Sequence, residues 1–301
     1  MNKIIMDVKD YFLGSEKFMF KNFHPNCYPI DYDFIFLNKA FYFPYFDKYY
    51  IPQSKDKKYN FSGISGYALA NYNRFIKSGD LKYKEVFLNQ IKFIEHNNNE
   101  GSYSSFQSFD DINPPWYSSL YQGLIASCYV RAYLLTNKFK YILLAKDSIE
   151  FVLNYEGNQM LVKKIKNINI SQEYPGNKVP NVLNGHLSFL IGALETNKYL
   201  SLNNEVKIDI TNFMINLKKF LSLCSKNKWS LYNYNPVKSM YNYSTINYHN
   251  LHISQIKYIS ALTNSSEFDV IIKNWLLGKK SLIIRLYAMI QKIKYKFLNE
   301  Y

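Results

Sequence analysis

Residues 183–199 read LNGHLSFLIGALETNKY. Leu183, Leu187, Leu190, Ile191 and Leu194 return every three to four residues, which places them on one face of a helix instead of alternating across a strand. The next segment, 207–224, keeps the same period through Ile210, Phe213, Met214, Leu217, Phe220 and Cys224. Working outward, the helical period also covers 63–78 and 81–96, where Phe87, Ile91 and Ile94 form one stripe. It covers 118–136 and 139–154, marked by Ile142, Ala145, Ile149 and Val152, and finally 249–262 and 267–277. Short connections such as Ser78-Gly79-Asp80 favour antiparallel neighbours. Four successive hairpins, each burying a face against the next, curl into an α/α toroid. The expected fold is therefore mainly α, an incomplete α/α barrel of about four helical hairpins.

Three parts of the chain follow from this pattern. Residues 1–60 are rich in Tyr, Phe, Pro and Asp without a sustained helical period, so they are expected to form an extended or β N-terminal arm. Residues 61–278 carry the toroid. Residues 279–301 form a basic amphipathic tail, in which Ile283, Leu286, Ile290, Ile293 and Phe297 recur at heptad spacing. Lys279, Lys280, Arg285, Lys292, Lys294 and Lys296 stand against a single Glu300. Such a helix can lie on an anionic membrane, pack on the toroid, or pair with its copy in a homodimer.

With 48% hydrophobic and 18% aromatic residues in 301, the chain can bury a large core, which excludes global disorder. The formal charge of +14 points to an acidic partner. The basic residues are dispersed and match no known binding motif, so nucleic acid is not the expected partner. Cys27, Cys128 and Cys224 lie far apart, which implies neither a disulfide framework nor a CxxC metal site. The start, MNKIIMDVKDYFLG, has no apolar run like that of a signal peptide, and nothing approaches the ~18 apolar residues of a membrane span. Cytoplasmic residence is expected, at the inner face of the membrane if the tail binds lipid.

Three long irregular links, 98–117, 155–182 and 225–248, separate the hairpins, and long links inside a compact domain tend to carry function. The first ends in Asn113-Pro114-Pro115-Trp116-Tyr117 and runs into Gln122, a set suited to stacking on a sugar and bonding its hydroxyls. The second carries Glu173-Tyr174-Pro175-Gly176 before Asn184-Gly185; the third carries Trp229, Tyr232 and Asn235, then Tyr248-His249-Asn250-Leu251-His252. His249 and His252 are three apart, but no third ligand accompanies them, so no metal is expected.

In order and spacing, WYSSLYQG with VRAYLLT, then EYPG with VLNGHLSFLIGALE, then WSLYNYN, then YHNLHISQIKYISAL resembles the C-terminal domain of the D-glucuronyl C5-epimerases, across roughly Pro114 to Trp275. The resemblance implies an α/α barrel, action on uronate-containing polysaccharide or oligosaccharide, and no dissociable cofactor. It implies a catalytic set of Glu173, Tyr174, Tyr232 and Tyr248. Trp116, Tyr117, Gln122, Asn184, Asn235, His249 and His252 are expected to contact substrate. Asn235 departs from the family, which has an arginine there that is associated with the uronate carboxylate. Carboxylate recognition must then come from elsewhere, or the substrate differs.

Inversion at C5 removes a proton beside the carboxylate and returns one to the opposite face, so it needs a close base and donors ready for the enolate. Glu173, or a tyrosinate with a lowered pKa, and Tyr248 are assigned to the two faces, with Tyr174 and Tyr232 as enolate donors or proton carriers. Two rivals share these features: a uronate lyase and a glycan-binding protein without activity.

Overall fold

The computed structural model describes residues 2–20, 26–37, 42–109, 112–176 and 178–299. The rest of the N-terminal arm and Glu300 lie outside the described residues.

The N-terminal region holds helices α1 (Asn2–Leu13) and α2 (Phe34–Leu37) and a two-stranded ladder, β1 (Tyr45–Phe46) with β2 (Pro52–Gln53). The hairpins follow as α3 (Phe61–Ser78) with α4 (Leu81–His96), then α5 (Ser119–Thr136) with α6 (Lys140–Asn154). Next come α7 (Leu183–Leu202) with the pair α8 (Thr211–Ile215) and α9 (Leu217–Leu223), and finally α10 (Ile246–Thr263) with α11 (Asp269–Lys280). Their limits agree closely with the periodicity. The segment 207–224 differs, because Asn216 turns its side chain onto the Asn212 carbonyl and divides the expected helix in two.

α3, α5, α7 and α10 pack side by side as an inner row, with α4, α6 and α11 behind them. Burial explains why α5 and α7 are apolar or small nearly all round: each is enclosed on several sides at once. Where α5 crosses α7 the backbones almost touch. A Cβ at Gly123 would sit 2.5 Å from the Phe189 Cα, and one at Gly192 would sit 2.4 Å from the Gly123 carbonyl oxygen. Close by, Arg131 of α5 pairs with Glu195 of α7 through both guanidinium nitrogens. The Tyr258 hydroxyl of α10 donates to the same carboxylate at 2.5 Å, and the Arg131 guanidinium lies 4.6 Å from the centre of the Tyr28 ring.

Tyr28 also explains what the N-terminal region does. Its amide donates to the Asn73 side chain of α3 at 2.7 Å, while its ring meets Tyr258 of α10 edge-on, so it bridges the first and last inner helices. α1 departs from the extended arm expected of the sequence. Tyr11 stacks beside Trp229 and its hydroxyl donates to the Ser244 carbonyl. The helix is held by these tertiary contacts, which twelve residues with weak local propensity could not reveal.

The three links fold as short antiparallel ladders: β3 (Ser104–Ser105) with β4 (Trp116–Tyr117), β5 (Val162–Ile165) with β6 (Ile168–Ser171), and β7 (Ser225–Lys226) with β8 (Trp229–Ser230). They are joined to one another. The Ser119 amide donates to the Gln172 carbonyl at 3.0 Å, and Val182 bridges Asn233. All three links therefore meet at one end of the helical row. The tail is α12 (Leu282–Asn299), which packs on α1 and on Trp229, Leu231, Tyr243 and Ile246 through Ala288, Ile284 and Met289.

Removing one member of a buried ion pair strands the other charge. Glu195→Ala is expected to cost about 3–5 kcal/mol, and replacing Arg131 and Glu195 together by Met and Leu should restore much of it. Denaturant and thermal unfolding of the three variants measure this.

Candidate active site

Gln172 sets the position of Glu173. Its amide donates to the Leu161 carbonyl at 2.8 Å, and its side chain exchanges two hydrogen bonds with Asn181 at 3.0 Å each. With the residue before it fixed on both sides, Glu173 points at the first turn of α7. There the Asn184 side-chain amide donates to its Oε2 at 2.9 Å. Gly185 makes this possible, since a Cβ there would lie 2.5 Å from the Glu173 Cβ.

Glu173 is 4% exposed. Burial raises its pKa from 4.5 to about 7, against the smaller lowering effects of the Tyr174 hydroxyl and the Asn184 amide. A carboxyl poised there is half ionised at neutral pH, which suits a general base. It borders a cavity of about 110 Å³ walled by Trp116, Tyr121, Tyr174, Asn60, Gln107 and Ser118, among others.

Tyr174 stacks on Phe109 at 4.0 Å and 8° and lies 5.8 Å from Trp116, so its ring cannot swing freely. Its hydroxyl reaches Glu173 on one side and Tyr232 on the other. Tyr232 is placed by its backbone: its amide donates to Asn242 O at 2.7 Å, and its carbonyl accepts from Leu183 N at 2.9 Å. Its ring meets Tyr248 edge-on at 5.1 Å. Tyr248 stands in the first turn of α10, started by the Thr245 hydroxyl, and is 37% exposed. The structure thus brings Glu173, Tyr174, Tyr232 and Tyr248 together from the second and third links.

Burial, with Glu173 adding to it, pushes the Tyr174 and Tyr232 phenols well above their ordinary pKa. The tyrosinate alternative is corrected for these two, since burial outweighs the nearby cation, Lys292 beside the Tyr232 ring. They are donors at neutral pH.

The expected substrate contacts divide. Trp116 faces the cavity, whereas Tyr117, its neighbour in β4, points to the other side of the strand and packs edge-on against Phe151 and Tyr155. Gln122 is fully buried and donates to the Tyr103 carbonyl at 3.2 Å. One step along α5 is a rotation of about 100°, and Tyr121 takes the cavity side instead. Asn184 is buried, with its side-chain amide spent on Glu173.

His249 and His252 are enclosed in the wall. The His249 ring stacks on Trp229 at 3.8 Å, accepts from Ser230 and faces the Trp275 carbonyl at 3.1 Å; His252 bonds the Ser230 hydroxyl at 2.8 Å. Burial pushes both down, His249 to about 3, so they remain neutral and structural. Asn235 accepts from the Val237 amide at 3.0 Å in a turn, away from the Glu173 cavity.

Sequence reasoning missed Tyr121 and Asn60. The Asn60 amide donates to the Tyr121 hydroxyl at 3.0 Å while its Oδ1 starts α3 through the Gly63 amide. An asparagine before a helical period is a cap signal, and nothing in the period shows that it also builds a wall.

Residues 99–277 match the family described as the D-glucuronyl C5-epimerase C-terminus, a span of more than half the chain. The chain belongs to this family. The match takes in all three links and every residue of the Glu173 cluster; Asn60 and the tail helix fall outside it. A member of an epimerase family with a neutral-poised carboxyl among phenols has the groups that proton transfer at carbon requires.

The raised pKa of Glu173 has a consequence for stability. Below pH 4.5 the carboxyl is protonated folded and unfolded alike; between pH 4.5 and about 7 the unfolded chain ionises first, so native stability falls as pH rises through that window. Glu173→Gln removes the effect. The variant should match the parent below pH 4.5 and exceed it by about 3 kcal/mol above pH 7, read from unfolding midpoints across pH.

Proposed function

We propose that this protein inverts C5 of hexuronate residues, glucuronate and iduronate, within a glycan. The buried Glu173 carboxyl with its pKa near 7, in contact with a row of protonated phenols, carries this reading. Glu173 takes the C5 proton. The electron pair left on carbon delocalises into the substrate carboxylate, and the added negative charge is met by the Tyr174 and Tyr232 hydroxyls, donors already in place. Tyr248, the most exposed of the three phenols, gives its proton to the opposite face of C5.

That step leaves Glu173 protonated and Tyr248 as phenolate. Tyr248, 37% exposed, recovers its proton from water, and Glu173, hydrogen-bonded to Tyr174, loses its own to solvent once product leaves, which resets the site for a second turnover. Trp116, buried against Phe109, Tyr121 and Tyr174, supports the wall behind them.

With Asn235 occupied in its turn, the cation assigned to the uronate carboxylate is Lys292. Its Nζ lies 5.1 Å from the Tyr232 ring centre and donates to the Asn242 side chain at 2.6 Å. It comes from α12, beyond the family match.

Incubation with glucuronate oligosaccharides in deuterated water, followed by proton NMR, tests the reaction. The expected result is deuterium at C5 and the iduronate signal. Absorbance of an unsaturated uronate would overturn the reading in favour of elimination, and no exchange at all would overturn it in favour of binding alone. Tyr248→Phe should exchange the C5 proton of one epimer but not the other. The parent kcat/KM should rise with pH through about 7, as Glu173 loses its proton. Lys292→Met removes a charge-assisted contact and should lower kcat/KM roughly ten- to hundredfold, mainly through KM, with the fold intact by circular dichroism.

A further inference from the structure

The tail helix α12 holds the toroid with the side that its heptad pattern does not mark. Ala288 is fully buried, and Ile284 and Met289 pack beside it against Tyr11, Trp229 and Tyr243. Ile283, Leu286, Ile290, Ile293 and Phe297 fall within an arc of about 80° on the opposite side. Of these, Ile283, Ile290, Ile293 and Phe297 are exposed and Leu286 is half-buried. A helix whose apolar stripe faced the core would bury these residues first, so the stripe has some use other than folding.

Charge indicates what covers it. Lys294 borders the stripe about 20° from Ile283, Lys296 stands about 60° beyond Ile293 on the other side, and no acidic residue occurs between Asp269 and Glu300. On the docked side Arg285 donates to the Phe12 carbonyl at 3.2 Å, which brings the exposed Phe12 and Leu13 of α1 to the same end. A second copy laid on this face would set Lys294 and Lys296 against their own counterparts, with no acid on the helix to offset them. A glycan has the negative charge but not the apolar area. An anionic bilayer has both, acyl chains for the stripe and headgroups for the flanking cations.

We propose that α12 seats this protein flat on an anionic lipid surface. The stripe enters the headgroup boundary, and the opposite face stays docked on the toroid. Among the described residues no helix is long and apolar enough to cross a membrane, so the contact is peripheral.

The test is co-sedimentation of the full chain with vesicles of phosphatidylcholine alone and of phosphatidylcholine mixed with phosphatidylglycerol. Binding is expected to the mixed vesicles only, weakening as salt is raised. Ile290→Ser and Phe297→Ser should each weaken it about tenfold or more. Lys294→Glu should weaken it by at least about fivefold. Because these side chains are exposed, the buried Trp116, Trp229 and Trp275 should keep their emission in every variant. Equal binding to neutral vesicles, no binding to either kind, or a dimer in solution that Phe297→Ser dissolves would each overturn the proposal. Epimerase turnover on soluble oligosaccharide should be unchanged in Phe297→Ser, so the lipid contact and the reaction are judged separately.

Discussion

The carboxylate of Glu195 lies between a guanidinium and a phenol, deep inside a helical row, and the remaining packing is arranged around it. Charges taken out of water are tolerated only when hydrogen-bonded on every side. Arg131 from α5, Tyr258 from α10 and the Tyr28 ring from the N-terminal region meet that requirement together. Three inner helices and the segment that bridges their ends are thereby placed relative to one another. The approach of α5 and α7 at Gly123 and Gly192 then sets how far apart the loop-bearing ends stand.

Those ends hold the candidate site. Each link contributes one part of the cluster: Trp116 from the first, Glu173 and Tyr174 from the second, Tyr232 from the third, with Tyr248 where the third enters α10. Backbone hydrogen bonds between links, as from Ser119 to Gln172 and from Leu183 to Tyr232, fix positions that side-chain packing alone would leave loose. Desolvation does the rest. It raises the carboxyl into the neutral range and keeps the neighbouring phenols protonated, because their intrinsic acidities differ while their surroundings are shared.

Much of this was legible in the residues. The apolar period located the helices of the hairpins to within a few residues, since burial of one face is what that period records. The Glu-Tyr-Pro and Tyr-His segments pointed to residues that the fold gathers. What periodicity does not record is the direction of a single side chain. Gln122 and Tyr121 differ by one helical step, Trp116 and Tyr117 by one strand step, and in each case the neighbour with the opposite aim was also a plausible sugar contact. His249 and His252 looked like contacts because imidazole is versatile. Only their enclosure by Trp229, Ser230 and Trp275 shows them as wall. α1 was invisible because its partner, α12, lies at the far end of the chain.

Asn60 performs two tasks with one amide group: its oxygen begins the first inner helix and its nitrogen steadies the Tyr121 phenol at the cavity. Aspartate could replace the first task but would repel Glu173 and lacks the donor; serine is too short for the second. A position with two independent obligations has few acceptable neighbours in sequence space. Drift in substrate preference should therefore enter through the loops around the cavity, while this corner of the wall changes slowly.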